Sequence, residues 1–470
     1  MAHADRLSAL DALFLALEDA NDPLHVAMTM IFERAPLCRP DGALDHEALR
    51  AHLGASVGAL PRMHQRIGRV PLLGHPVWLD DEHFDVTHHV RTIALPPPGN
   101  EAALREVVAT FHAQPIDRAR PLWELLVIDG LEGDRLALTL KVHHAVVDGV
   151  AGIGALAHLF GDAARDPDVT RRVRGFGPSR ERLLVDEISY RLLAPWRALR
   201  RTGRKSSLRS RALDAVRGLA AAGWIVAHPA PRTSINPSHP GTRRVFGWTS
   251  FDLERVRAIG HAAGGTLNDA ALAIIAMALH QWLQTRGDEV SQLALRVMLP
   301  VSLHPPGEIA GNKVSLLLAD LPTDAPDARE CLARVVKATR HAKSSHQSQG
   351  IAWGEALADW TTPSLLSAMV RASRLLRPYN LIVTNIPGPD VPLSLYGARM
   401  IAAYPMVPLY GNQALGIALS GYAGRLFIAV NGDRDTVPDL DAFVTALDEA
   451  AVSLRETWLD DHGINGETSI

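Results

Sequence analysis

Cysteine is scarce in this chain: Cys38 and Cys331 are the two present in 470 residues, and they lie far apart in sequence. Two distant cysteines do not make a disulfide framework, so a reducing compartment is expected. No apolar run reaches the roughly 18 residues that a membrane-spanning helix requires. The first residues, Met1-Ala-His-Ala-Asp-Arg, lack the basic and apolar regions of a secretory signal. These absences predict a cytoplasmic location.

A strong charge imbalance is also absent. The chain carries 48 basic and 51 acidic residues, for a net charge of -3, so no global basic field points to nucleic acid as a partner. What is present is the composition of a globular protein, 47% hydrophobic and 21% charged. The length predicts two or three domains rather than one core.

The most informative stretch is Lys141-Val-His-His-Ala-Val-Val-Asp-Gly149, which closes an alternating strand and opens onto a helix. The alternation predicts a half-buried strand over 136–142, with His144 continuing its apolar row and His143 on the other face. At the edge of a water-poor cavity, an imidazole can act as a base if its other nitrogen is held by a hydrogen bond. His144 is therefore the candidate base, and His143 is expected to support the loop.

Asp148 and Gly149 are expected to make a sharp turn, because Asp can bond its own backbone and Gly accepts a positive φ. Asp148 could instead orient His144 directly, or form a structural ion pair. A histidine at a strand end is also commonly a satisfied buried polar group. No metal site is expected, since neighbouring side chains on opposite faces are poor ligands for one ion. The pair His88-His89 has no Asp-Gly after it and is predicted to be structural.

His143-His144-x-x-x-Asp148-Gly149 resembles the HHxxxDG motif of the CoA-dependent acyltransferases. Further short blocks resemble those of the bacterial wax ester synthase/diacylglycerol acyltransferase family, in that family's order. These blocks are Leu7-Ser8-x-x-Asp11-x-x-Phe14-Leu15-x-x-Glu18, Pro121-Leu122-Trp123-Glu124, Asn268-Asp269, Gly311-Asn312 and Asn385-Ile386-Pro387-Gly388-Pro389.

The resemblance implies an α/β fold (α+β, with mixed sheets) of two chloramphenicol-acetyltransferase-like subdomains and an active-site tunnel between them. Strand and helix patterns in both halves suit this division. The expected boundaries are 1–185 for the subdomain with the HHxxxDG motif, 186–242 for a helical basic connector and 243–470 for the second subdomain.

The same resemblance implies transfer of a long-chain acyl group from acyl-CoA to a lipid hydroxyl, either diacylglycerol or a fatty alcohol. His144 would be the general base, with His143, Asp148 and Gly149 as motif support. Acyl-CoA is then a co-substrate, and no cofactor or metal is expected. Two alternatives stay open: condensation on a carrier-bound thioester, and an inactive lipid-body coat protein of the same fold.

Family analogy suggests Asn268 and Trp123 as substrate-binding residues. From the residues alone, Asn268-Asp269 also suits a helix cap, and Trp123 also suits a core aromatic beside the strand. The pattern Gly54-x-Ser56-x-Gly58 lies in a predicted helix rather than a nucleophile elbow, so Ser56 is expected to be structural. Small residues over 152–157 are expected to serve helix packing rather than dinucleotide binding.

The connector carries many arginines interleaved with leucines. Such a face could rest on anionic lipid, or could be solvated or packed across a domain seam. A peripheral membrane or lipid-droplet partner is therefore one expectation for this segment.

Overall fold

The computed structural model describes residues 5–19, 21–58, 60–146, 159–160, 178–201, 223, 227–302, 314–344, 368, 377–389 and 391–459. Its α-helices within these residues are Ala9–Leu17 (α1), His46–Gly58 (α2), Glu101–Ala113 (α3), Arg180–Arg201 (α4), Leu253–Ala262 (α5), Leu267–Thr285 (α6), Ala328–Ser344 (α7) and Leu440–Leu459 (α8). Its strands are Asp5–Arg6 (β1), His25–Glu33 (β2), Gln65–Arg69 (β3), Pro76–Asp80 (β4), Val90–Ala94 (β5), Trp123–Leu131 (β6), Arg135–His143 (β7), Arg244–Asp252 (β8), Leu295–Ser302 (β9), Val314–Leu321 (β10), Leu381–Ile386 (β11), Ser394–Leu395 (β12), Ala398–Met406 (β13), Leu415–Tyr422 (β14) and Arg425–Asp433 (β15).

The strand before the two histidines, β7, lies inside a six-stranded sheet of order β12-β13-β2-β7-β6-β5. The predicted strand is confirmed, but the expectation that it is half-buried is wrong, because residues 136–143 are all buried. Strands β2 and β6 flank it on both sides. The end of α3 covers its polar face, where Lys141 Nζ donates to the carbonyls of Phe111 at 3.0 Å and Gln114 at 2.8 Å.

A strand from near the end of the chain completes this first sheet. Strand β13 runs antiparallel to β2, with Ala402 opposite Ile31 and Met406 opposite Ala27. The sheet that carries the histidine motif is therefore built from both halves of the sequence. The boundaries placed at residues 185 and 242 stay predictions.

The second sheet also has six strands, in the order β10-β9-β11-β14-β15-β8. It is mixed, since β11 runs parallel to both β9 and β14 while its other pairs are antiparallel. Helix α6 is apolar around most of its surface and is buried in the core of this half, between α5, α7 and α8. A helix apolar on all sides is stable only when it is covered in this way.

Within the described residues, no single helix combines the length and hydropathy needed to cross a bilayer. Helices α5 and α6 meet that criterion only when they are taken as one segment, and a bend of 94° separates them.

The two six-stranded sheets contact each other through aromatic side chains. Tyr404 of β13 stacks on Trp248 of β8 with ring centroids 4.5 Å apart, and it contacts Phe427 of β15 edge-on at 5.3 Å. An ion pair of 2.7 Å between Arg105 of α3 and Asp441 of α8 also joins the halves. Two layered α/β halves with mixed sheets confirm the expected fold class, whereas the tunnel stays a prediction.

Candidate active site

The main chain at the end of β7 is held from two sides. The N–H of His143 donates to the carbonyl of Leu122 at 3.0 Å, and the N–H of His144 donates to the carbonyl of Leu24 at 2.9 Å. The Val146 N–H then returns to the His143 carbonyl at 2.9 Å and closes a turn. Asp148 and Gly149, and the turn predicted for them, lie outside the described residues, as do Gly311-Asn312 and the small residues of 152–157.

The His143 ring is buried and holds this turn from inside. Its Nδ1 accepts a hydrogen bond from the Ala145 N–H at 3.0 Å, so the ring proton must reside on Nε2. That Nε2 lies 3.5 Å from Glu18 Oε2. One nitrogen therefore supports the backbone next to His144, and the other faces a carboxylate.

The His144 ring has different surroundings. It stacks on Phe14 of α1 with ring centroids 4.2 Å apart and planes tilted by 32°. Its Nδ1 is buried and has no hydrogen-bond partner among the described residues, so the hydrogen bond expected to hold one ring nitrogen is not found within them. Burial lowers the pKa of His144 to about 4, because a low-dielectric environment disfavours the charged imidazolium. The ring is therefore neutral at pH 7 and able to accept a proton.

Glu18 is the centre of a buried cluster beside these rings. Its Oε1 accepts from the Leu24 N–H at 3.2 Å and lies 3.1 Å from His25 Nε2. Its Oε2 accepts from the Arg118 guanidinium, with Nε at 2.9 Å. Burial raises the pKa of Glu18, but hydrogen bonds from His143 and His25 outweigh it, and the pKa lies far below its ordinary value. Glu18 is thus a fixed negative charge.

Helix α1 and the residue that follows it position both histidines. Ser8 caps its N-terminus by accepting from the Asp11 N–H at 3.1 Å. Phe14 lies in α1, and Glu18 is the C-cap residue that follows the helix, four positions later. Their side chains therefore lie on the same side, where Phe14 meets His144 and Glu18 meets His143. Both residues belong to the family block Leu7 to Glu18, in which neither had an expected role, and their spacing is the signal that could have identified them. His25 and Arg118 carry no such signal in the sequence.

More buried polar groups continue behind β7. His112 of α3 lies with its ring centroid 6.2 Å from that of His25, and burial holds the pKa of His112 well below its ordinary value. Lys141 Nζ lies 2.9 Å from Glu124 Oε2, and burial lowers the pKa of Lys141 although Glu124 opposes that shift. Lys141 is therefore fully paired on this face, whereas Nδ1 of His25 and both ring nitrogens of His112 have no hydrogen-bond partner among the described residues.

Trp123 lies in the core under the sheet. It is 1% exposed, its indole N–H donates to the Met63 carbonyl at 2.6 Å, and His89 stacks on it at 4.5 Å. His89 Nδ1 is 2.8 Å from the Trp123 carbonyl. The contacts are those of a core aromatic, and they confirm the structural interpretation of His89. Contact of Trp123 with substrate stays a prediction.

The predicted residue of the second half, Asn268, lies in the first turn of α6. The cap expected there is confirmed in detail: Thr266 and Asp269 form a capping box, and buried Asp269 also accepts from the Thr339 hydroxyl at 2.6 Å. Asn268 itself is half-buried, with its Oδ1 3.5 Å from Asn385 Nδ2. Two separate family blocks are thus brought together.

Two further sequence signals are resolved by packing. Ser56 lies inside α2, is buried, and donates to the His52 carbonyl at 2.9 Å, so the helical interpretation is confirmed. Gly388, just after β11, packs so closely against the main chain of Gly421 that a Cβ there would lie 1.4 Å from the Gly421 carbonyl oxygen. Among the residues described, no cluster of three or more His, Cys, Asp or Glu is arranged to hold a metal ion.

Two family models match the chain. The wax ester synthase/diacylglycerol acyltransferase catalytic domain matches residues 7–271, and the WS/DGAT C-terminal domain matches residues 310–455. A Mycobacterium tuberculosis protein assigned by name as a diacylglycerol O-acyltransferase is 32% identical over an alignment of 470 positions, which covers 97% of this chain and 91% of the relative. The O-acyltransferase WSD of Acinetobacter baylyi is 27% identical and covers 94% of this chain and 95% of its own.

Solved structures agree in fold. The wax ester synthase/diacylglycerol acyltransferase of Marinobacter aquaeolei VT8 superposes with a TM-score of 0.66 and 26% identity, over 96% of this chain and 99% of that one. The trichothecene 15-O-acetyltransferase of Fusarium sporotrichioides superposes at 0.62 with 12% identity, over 96% of this chain and 95% of that one. The latter likeness establishes a shared fold only.

Proposed function

Since this chain belongs to the wax ester synthase/diacylglycerol acyltransferase family and is an O-acyltransferase, we propose that His144 is the single general base of its reaction. The donor is a long-chain acyl-CoA, and the acceptor is the hydroxyl of diacylglycerol or of a fatty alcohol. The observation that supports this role is a neutral imidazole at a strand end, with one face against Phe14 and a pKa lowered to about 4 by burial.

The reaction needs one proton acceptor. An alcohol is a weak nucleophile until its proton is removed, so His144 takes that proton as the oxygen attacks the thioester carbonyl. The tetrahedral oxyanion needs donors placed beforehand. Its collapse breaks the C–S bond and expels the CoA thiolate, which receives the proton from the imidazolium. Atoms and charges balance without a covalent acyl-enzyme.

Glu18 acts in this scheme as a positioning residue. It holds His143 at 3.5 Å and the Leu24 N–H at 3.2 Å, and the Leu24 carbonyl in turn accepts from the His144 N–H. His143 supports the same turn through Ala145. Glu18 is thereby linked to His143, the residue before the base, and to Leu24, whose carbonyl holds the main chain of the base. These links limit how far the His144 ring can move from the position in which it takes the proton.

Asn268 is proposed as a substrate contact from the second half, on the basis of the family resemblance and of its contact with Asn385, a residue of another family block. We also propose that the protein works in the cytoplasm, peripherally associated with a membrane or lipid-body surface, because its acceptors are lipids. The acceptor hydroxyl in either case sits on a long apolar body.

The test is release of free thiol from palmitoyl-CoA with hexadecanol or dioleoylglycerol as the acceptor, with the ester product identified by mass spectrometry. Wild-type protein is expected to form product with at least one acceptor. His144→Ala is expected to abolish turnover while its thermal unfolding stays close to wild type. Ser56→Ala is the control and should retain activity. Full activity in the His144→Ala protein would refute the single-base scheme.

A further inference from the structure

Exposed large hydrophobic side chains are concentrated in one region of the molecule. The described residues contain nine of them, and six lie on two neighbouring elements: the tip of the β3–β4 hairpin and helix α4. These six are Leu72, Leu73, Val185, Ile188, Leu192 and Leu193, and together they are called the leucine patch below. Scattered single hydrophobics are normal on protein surfaces, whereas a concentration of them on two elements in contact is a candidate interaction site.

Helix α4 is two-sided. Leu183, Glu187 and Tyr190 are spaced as one helical face, and this face meets the body of the protein: Leu183 packs with Val70 and Val77 of the hairpin. Val185, Ile188 and Leu192 follow the same spacing on the opposite face and are 60%, 45% and 73% exposed. The apolar face that remains open is therefore not the one that attaches the helix.

Ionic contacts lock the helix onto the hairpin. Glu187 is buried and accepts from Arg6 at 2.9 Å, and Arg6 also lies over the Tyr190 ring at 4.1 Å. Arg6 is 3.4 Å from His75 Nδ1, at the base of the hairpin tip. The hairpin and α4, which each carry part of the leucine patch, are thus held together as one unit.

The hairpin tip exposes its leucine at a conformational cost. Leu72 is 95% exposed and has a φ of 63°, a left-handed conformation that favours glycine. The tip is closed by the Gly74 N–H, which donates to the Val70 carbonyl at 2.9 Å. A large apolar side chain held outward in this conformation adds little packing within the described fold, so it is available for contact with a partner.

Charge favours a lipid partner over a second protein. Helix α4 contains six arginines against three acidic residues. Its Glu187 pairs with Arg6 and Arg191, and its Asp186 lies 3.9 Å from Arg182. Arg69 on the hairpin and Arg182 on α4 are exposed beside the apolar side chains. The chain after α4 adds four arginines and one lysine over 204–217 against a single acid, Asp214. Exposed apolar side chains in a segment rich in arginine suit the headgroup boundary of an anionic bilayer.

We propose that the leucine patch docks this protein on anionic phospholipid, with Leu72 and the outer face of α4 inserted at the level of the headgroups. This assignment rests on the proposed function in one respect, since a docked enzyme would meet a lipid acceptor where that lipid resides. Insertion needs no shape-matched partner, which agrees with a patch made of a loop tip and one helix face.

The experiment is flotation of the full-length protein with vesicles of phosphatidylcholine alone, or of phosphatidylcholine mixed with phosphatidylglycerol. Wild type is expected to float with the mixed vesicles, and less so at high salt. Leu72→Asp and Leu192→Asp should each lower the partition coefficient about tenfold or more. Each removes one inserted leucine and adds a negative charge, which the anionic headgroups repel. Val391→Asp and Tyr396→Asp are matched controls, since those residues are 60% and 58% exposed outside the patch.

Unchanged flotation of the Leu72→Asp and Leu192→Asp proteins would overturn the assignment. A second outcome would also overturn it: the two variants self-associate less than wild type, measured by light scattering, while their vesicle binding is unaltered. The patch would then join two copies of the chain. Turnover of a short-chain acyl-CoA and a water-soluble alcohol should stay at wild-type level in both variants. If wild type turns over no acceptor at all, the proposed function fails, while flotation still decides the role of the patch.

Discussion

Replacing Glu18 by Gln keeps the shape of the side chain and removes its charge. In the native protein the carboxylate is 7% exposed and faces Arg118, His25 and His143. Breaking a buried ion pair costs about 3–5 kcal/mol. Because the Arg118 side chain is 41% exposed, it can be hydrated after the loss, so we expect the lower end, about 3 kcal/mol of unfolding free energy.

The same substitution should slow catalysis more than it weakens substrate binding. Loosening the Leu24 and His143 contacts lets the His144 ring move, and a misplacement of about 1 Å can cost on the order of a hundredfold in rate. We therefore expect kcat for thiol release from palmitoyl-CoA to fall by about tenfold to a hundredfold, with KM nearly unchanged. Glu33→Gln is the matched control: Glu33 lies at the far end of β2 and pairs with Arg399 at the surface, at 2.7 Å.

The pH dependence of the unfolding free energy distinguishes the effect of the Glu18 charge from that of the Glu18 side-chain shape. The folded pKa of Glu18 lies below its ordinary value of 4.5, so its stabilising contribution is complete above pH 4.5 and is lost as the pH falls towards the folded pKa. The difference in unfolding free energy between wild type and Glu18→Gln should shrink on acidification. A pH-independent difference, or a loss of stability without any loss of kcat, would show that Glu18 is not a charged positioning residue.

Two further predictions follow from single contacts. Burial lowers the pKa of His144 to about 4. The value of kcat/KM should therefore be constant from neutral pH down to about pH 5 and fall only near pH 4, where the imidazole is protonated. A fall in kcat/KM that begins near pH 6.5 would contradict this. Gly388→Ala places a methyl group on the Gly421 carbonyl and should cost about 3 kcal/mol in chemical unfolding, whereas Gly223→Ala, in open space, should change it little; equal effects would contradict the packing argument.

The strand that carries the histidines was predictable because its alternation is local. Its burial was not, because a lysine such as Lys141 is normally exposed, and its three partners come from α3 and β6. The pairing of β13 with β2 joins residues more than 300 positions apart in sequence, and no local pattern specifies such a partner. Local periodicity thus predicts elements, while burial and strand order depend on contacts that the sequence separates widely.

The candidate site divides in the same way. A motif of adjacent residues identified His143 and His144, and strand geometry predicted that they face apart. The Glu18 cluster assembles residues from four separate segments, including Arg118 and His25. Neither of these belongs to a recognisable motif, so only the folded chain brings them together. The sequence placed Asn268 on a cap, but its contact with Asn385 required the docking of α6 beside β11.

The division of labour between the two histidines follows from one short helix. His143 is held by Glu18, and His144 is stacked on Phe14, one turn earlier in α1 on the same face. A shift of α1 along its axis would therefore disturb the support and the base together. Since Glu18 also anchors α1 to Arg118 and to the strand that begins at His25, the carboxylate fixes the helix and thereby the aromatic wall of the base. Phe14→Leu should consequently raise the pKa read from the pH–rate profile, because an aliphatic side chain covers the ring less completely, while Glu18→Gln should lower kcat at every pH.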